Sequence, residues 1–328
     1  MNLRLLSATC LAALLPLTAC GVEKTVRAEP RPAVTGGHPV TVDNCGTEVT
    51  LDAPPERIVT IKSTSTELVL ALGLADKLVG TGFADGPVLE EWADEVADVP
   101  VLSEQAPGQE SVLETEPDLV FAGWESNLAA DTAGERDTLA KLGVASYVSP
   151  AACQEPGYQP DPMTFELLFE QFTEAGQLLG APQAAADLVA EQRAELAEVP
   201  TAKAGTTALW WSSGEDIPFV GGTIGAPQMV LDAVGLSNVA TEKATWTSMG
   251  WEAIVDADPD VIVLVDAAWN SAEQKIKALE SNGATRNLSA VKAERYLTIP
   301  FPAAEAGVRS VSAAADLAAQ LEELGLGG

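Results

Sequence analysis

Residues 110–121 and 252–263 of this 328-residue chain align without a gap. Each stretch reads as a short helix with an acid, Glu110 or Glu252, placed seven residues before a Pro-Asp pair, and an apolar strand follows. Pro-Asp before a strand is common in α/β proteins and says little alone. The full register, with Trp124 and Trp269 just after the two strands, says far more. It predicts two related α/β lobes, and the chain on either side of each block alternates short strands with helices as such lobes require. Between the blocks, residues 163–198 read as two consecutive helices, Met163 to Leu179 and Pro182 to Val199, parted at Gly180. The expected organisation is a first lobe over 40–161, opening with a hairpin around Asn44-Cys45-Gly46, a helical segment over 162–199, and a second lobe over 200–328.

The N-terminus reads differently. Arg4, a short apolar run ending near Leu17, and small residues up to Cys20 match an export signal over residues 1–19. Leu17-Thr18-Ala19-Cys20 resembles the bacterial lipobox, which implies cleavage before Cys20 and lipidation of its thiol. Multiple acyl chains hold a protein stably at a membrane surface. Residues 20–39, with Pro30, Pro32, Gly36 and Gly37, read as a flexible tether behind that anchor.

Composition then removes whole classes of function. The net charge is −30, and export removes Arg4 and no acid, so nucleic acid and anionic lipid are poor partners. The single histidine, His38, lies at the edge of the tether and reads as solvated, so no His-based triad or zinc site can be assembled in the lobes. After export and lipidation, Cys45 and Cys153 remain. A disulfide and two buried free thiols both fit, and an oxidising compartment favours the disulfide. No resident metal or cofactor is expected, and the chain reads as a monomer that binds rather than catalyses.

Three segments carry a family resemblance: Pro55 to Ile61 with Thr66 to Gly80, both Pro-Asp blocks, and Gly225 to Asn238. Over about residues 40–324 the chain resembles the ABC-importer binding proteins for cobalamin, haem and iron–siderophores. The resemblance implies two Rossmann-like lobes joined by one rigid helix, here Pro182 to Val199, and delivery of a bulky ligand to a membrane permease and its ATPase. It also implies that Glu110 and Glu252, one acid on each lobe tip, pair with basic residues of the permease. The segments Pro218 to Gln228 and Ile299 to Arg309 resemble an actinobacterial branch proposed to import a deazaflavin-cofactor precursor. Two other readings are a ligand sensor that meets no permease and an enzyme on the same scaffold. The enzyme would need clustered Cys or His.

Ligands of α/β folds sit beyond the C-terminal ends of strands. Phe83, Trp124, Trp211, Trp246 and Trp269 fall in predicted loops there and could stack on a planar ligand or pack within the lobes. Lys62 follows the first strand and Arg309 the last one. They suit either an anionic ligand, aromatic or chelated, or salt bridges.

Overall fold

The computed structural model describes residues 37–328. The expected signal segment, Cys20 and the tether up to residue 36 lie outside the described residues. From His38 onward the chain is docked: this ring is half-buried, with Nε2 3.1 Å from the Leu178 carbonyl. The solvated His38 expected from its place beside the tether is therefore corrected.

Strands β1 (Val40–Asn44) and β2 (Thr47–Leu51) form an antiparallel hairpin. Its turn residues, Cys45 and Gly46, both have positive φ, as a two-residue hairpin turn requires. The chain continues through β3 (Ile58–Ile61), α1 (Ser63–Ala71), β4 (Leu78–Gly82), α2 (Ala93–Val96) and β5 (Val101–Ser103). It then passes α3 (Gln109–Leu113), β6 (Leu119–Ala122), α4 (Arg136–Lys141) and β7 (Ala145–Val148). β3 to β7 make a parallel sheet in the order β5-β4-β3-β6-β7. Its central strands β3 and β6 are buried throughout, as a sheet covered on both faces requires.

Two helices follow, α5 (Phe165–Leu178) and α6 (Pro182–Ala197). Phe165, Leu168, Phe169, Phe172 and Ala175 repeat at helical spacing and are buried, and the Thr164 side chain caps α5 by accepting from the Leu167 N–H. The two helices lie very close. A Cβ on Gly176 would fall 2.3 Å from that of Ala185, so only glycine fits there. α6 then carries the chain to the second sheet, and its buried Gln192 donates to the Val308 carbonyl at 2.7 Å.

The second sheet contains β8 (Thr207–Ser213), β9 (Phe219–Gly221), β10 (Ser237–Asn238), β11 (Trp246–Ser248), β12 (Val261–Asp266) and β13 (Tyr296–Pro300). Its order is β11-β9-β8-β12-β13, with β10 paired to the start of β8. Helices α7 (Ala226–Ala233), α8 (Trp251–Ala257), α9 (Ala272–Ser281), α10 (Ser289–Lys292) and α11 (Ser310–Glu323) complete this half. β8, β12 and β13 are parallel, whereas β9 and β11 run antiparallel at one edge. The fold is thus two α/β lobes joined by a helical crossing.

The sequence repeat is a repeat in three dimensions. Gly108 and Gly250, both in extended backbone, precede α3 and α8. Val112 and Ile254, two residues past the repeated acids, are fully buried. Glu116 and Asp258, each just before its proline, both adopt left-handed backbone, with φ of 48° and 41°. That conformation is uncommon outside glycine, and the residue before proline is kept out of the ordinary helical region. The Pro-Asp carboxylates do matching work. Asp118 accepts the backbone N–H groups of Glu56 and Arg57 at the entry to β3. Asp260 accepts the N–H and hydroxyl of Thr207 at the entry to β8. In each lobe the aspartate that opens one strand therefore clamps the start of its neighbour.

Candidate functional site

Strand order places the site. In the first sheet β3 has β4 on one side and β6 on the other, so chain direction diverges at its C-terminal end. The equivalent point of the second sheet lies at the ends of β8 and β12. A cleft of about 420 Å³ lies beyond these strand ends and takes lining residues from both lobes. The first lobe contributes Thr64, Trp124, Ser149 and Gln154, and the second contributes Ser213, Phe219, Trp246, Trp269, Phe301 and Glu305.

The walls are aromatic. Phe219 and Trp246 stack with centroids 5.9 Å apart and planes within 16°. The antiparallel pairing of β9 with β11 sets Trp246 opposite Gly221 and Ser248 opposite Phe219, which puts the two rings diagonally on one face. Trp269 meets Phe301 edge-on at 6.0 Å and is 62% exposed, a large apolar surface left in water. Trp124 meets Phe83 edge-on at 5.7 Å.

Beneath the aromatic wall lies a buried charge layer. Lys62 sits directly after β3 with φ of 84°, a costly conformation for a residue with a Cβ. Its ammonium pairs with Asp85, and both side chains are essentially inaccessible to solvent. Three rings surround that ammonium, with centroids at 3.6 Å (Trp124), 4.6 Å (Phe83) and 4.9 Å (Phe301). Gly123 makes room for the lysine: a Cβ there would come within 2.6 Å of the Lys62 Cβ and 2.7 Å of the Thr64 hydroxyl. Burial pushes the Asp85 carboxyl up, against the pull of Lys62. Arg309 is equally committed. It forms a two-pronged pair with Glu67 and donates to the Pro87 carbonyl at 2.7 Å, which ties the segment after β13 to the first lobe. Burial raises the Glu67 carboxyl too, with Arg309 opposing.

Glu305 faces the cleft itself. Close packing pushes its carboxyl up to about 7, with Lys62 pulling it down and Asp85 pushing it up. The Trp124 indole N–H stands 3.5 Å from one of its oxygens.

The structure sorts the residues expected at the site. Trp124, Trp246 and Trp269 line the cleft. Phe83 and Lys62 lie behind Trp124 and support it. Arg309 is an interlobe salt bridge, so the cation expected to meet a ligand is not free to do so. Trp211 is corrected outright: it is fully buried, donates to the Ser213 carbonyl at 2.7 Å and packs edge-on against Trp251 at 5.1 Å. The reason is strand length. β8 runs on to Ser213, so Trp211 lies inside the strand rather than past its end. Of the two roles left open for Lys62 and Arg309, contact with an anionic ligand or a salt bridge, both cations take the salt bridge within the protein. Glu305, Phe219 and Phe301 were missed. Phe301 and Glu305 could have been found from their position just after the last strand.

Glu110 and Glu252 are exposed, each the second residue of its helix and absent from the cleft lining. Both helices begin at the cleft end of their sheets: Pro107 lies near Gly82 at the end of β4, and the Met249 N–H donates to the Pro218 carbonyl in the loop beyond β8. Cys45 and Cys153 form a disulfide. Cys153 lies between Ala152 and Gln154, so the bond ties the hairpin to one rim of the cleft. Among the described residues no three His, Cys, Asp or Glu side chains are grouped to hold a metal ion.

Known proteins share this architecture. Over 321 residues the chain is 27% identical to a Bacillus subtilis protein described as an uncharacterized ABC transporter substrate-binding lipoprotein, YvrC, covering 95% of this chain and 94% of that one. It is 30% identical over 237 residues to a cobalamin-binding protein of Halobacterium salinarum, covering 69% of this chain and 58% of that one. A solved Saccharomonospora viridis structure, described as an ABC-type Fe3+-hydroxamate transport system, superposes with a TM-score of 0.73 at 24% identity over 87% of this chain and 99% of that one. Residues 58–303, from the first strand of the first sheet to just past the last strand of the second, match the profile described as periplasmic binding protein. With its duplicated strand clamps, helical crossing and interlobe cleft, the chain belongs to the periplasmic binding protein family.

Proposed function

We propose that this chain is the substrate-binding component of an ABC importer, held at the outer face of the cell membrane by lipid on Cys20. It captures a bulky conjugated or metal-chelating molecule between its lobes and presents it to a permease. The observation that carries this reading is the aromatic cleft at the C-terminal strand ends of both sheets. The relatives named for cobalamin and for Fe3+-hydroxamate transport support a large, rigid ligand of this kind. A ring system could fill the cleft and leave its periphery near the exposed Trp269.

Glu110 and Glu252 serve as the permease contacts in this account. Their equal placement on two equivalent helices would let a docked permease register both lobes at once, and charge at such a contact sets orientation and on-rate more than affinity. Binding rather than catalysis is the role, because the cleft side chains are rings, methyls and hydroxyls with one amide and one carboxylate. The test is native mass spectrometry of protein purified from its own host. A bound small molecule that is lost from the Trp124→Ala/Trp246→Ala variant is expected. Equal retention by that variant would place the ligand elsewhere.

A further inference from the structure

Among the described residues that line the cleft, Glu305 is the one ionisable side chain. Its charge is not balanced by its surroundings. The charged groups that act on it are Lys62 after β3 and Asp85 after β4. Lys62 and Asp85 pair with each other, and Arg309, a little further along the chain, is taken up by Glu67, which leaves the Glu305 carboxylate in surplus. The Trp124 indole N–H is a neutral donor at the long end of hydrogen-bonding distance. A ligand carboxylate placed here would meet a like charge and, among the described residues that line the cleft, no cation. A ligand N–H or ammonium would meet an acceptor between aromatic walls.

We infer that the cleft selects a neutral or cationic ligand, conjugated or metal-chelating, that presents an N–H or ammonium donor to Glu305, and that Glu305 is the residue that turns away carboxylate-bearing ligands. The inference rests on the proposed function and narrows it. Discrimination arises partly from the attraction offered and partly from the repulsion built in. The raised carboxyl adds a dependence on pH. Well above pH 7 the carboxylate is charged and the preference for an N–H or ammonium donor is full. As pH falls through about 7 the group takes up a proton and the preference shrinks.

The test uses matched probes. One set is a linear ferric trihydroxamate with a free terminal amine, with its N-acetyl and N-succinyl derivatives. The other is a corrinoid with peripheral amides and its hydrolysed polycarboxylate. Titration by tryptophan fluorescence at pH 8 should show, in whichever set binds, a preference for the amine or amide member over the carboxylate member of about tenfold or more. Glu305→Gln, nearly isosteric, should erase most of that preference and its change between pH 8 and pH 6. Glu305→Lys should invert it. Unfolding curves of the same samples establish that each variant is folded. Equal or tighter binding of the carboxylate member by the unaltered protein overturns the inference while leaving the binding function in place. A preference that survives Glu305→Gln overturns the assignment to this residue. Failure of every probe to bind overturns the proposed ligand class, and this inference with it.

Discussion

The two lobes keep the same skeleton and differ at the cleft. Both have a Gly-capped short helix, an exposed acid, a left-handed residue before proline and an aspartate that clamps the neighbouring strand. Past the strand ends the likeness stops. The first lobe has a buried lysine–aspartate pair under Trp124 and a disulfide-tied hairpin. The second offers an antiparallel aromatic edge, the exposed Trp269 and the acidic Glu305. The features that repeat satisfy backbone groups and set strand positions, so they are tied to the fold. Of the features that differ, the first lobe's buried pair and tied hairpin brace the cleft from behind, whereas the second lobe's aromatic edge, Trp269 and Glu305 line the cleft itself.

If that division is right, the first lobe's cleft residues should matter to stability and the second lobe's to binding. The largest effect is expected at Asp85. Asp85→Ala would leave the Lys62 ammonium buried without its partner, at a cost of about 3–5 kcal/mol. Lys62→Met/Asp85→Leu should recover much of that, because no charge is then buried. Urea unfolding measures both, and a loss below about 1 kcal/mol for Asp85→Ala would show that the pair does not hold the lobe together. The disulfide comes next. The bond links residues 108 apart in sequence, so its removal in Cys45→Ser/Cys153→Ser should lower stability by up to about 5 kcal/mol. Thiol alkylation should label neither cysteine in the native oxidised protein, and two readily alkylated thiols would break the account of the hairpin. The smallest and sharpest contrast is between two tryptophans. Trp269→Ala should change stability by less than about 0.5 kcal/mol, because the ring is mostly in water. It should still weaken ligand binding by about 0.5–1.5 kcal/mol. Trp124→Ala should weaken binding and lower stability together, since that ring also covers Lys62. Identical behaviour of the two variants would dissolve the distinction between the lobes.

The skeleton was legible in the sequence because it is made of local rules. A Pro-Asp pair at constant distance from an acid, apolar runs of strand length and a proline opening α6 each act within a few residues. The cleft was legible only in part. Trp124 and Trp269 could be placed because each lies two or three residues past a well-marked strand. Trp211 could not, because the polar Ser212 and Ser213 hid the last residues of β8. The stacking of Phe219 on Trp246 depends on pairing between segments 27 residues apart, in strands of three residues with no clear alternation. The fate of the two cations depended on partners far along the chain. Arg309 meets Glu67 across a separation of 242 residues, which no local pattern reports. A basic residue in an acidic chain therefore reads as a ligand contact until its partner is seen.

The central claim is that the duplicated helices deliver a bound ligand to a permease, and transport tests it most directly. Uptake of labelled ligand should be measured in cells that carry the complete importer with Glu110→Lys/Glu252→Lys, alongside affinity and stability of the purified variant. Exposed acids contribute little to either property, so affinity and folding should stay near those of the unaltered protein. Uptake should fall at least tenfold, on the order expected when two contact charges turn repulsive. Normal uptake through a permease shown to be required would contradict the account.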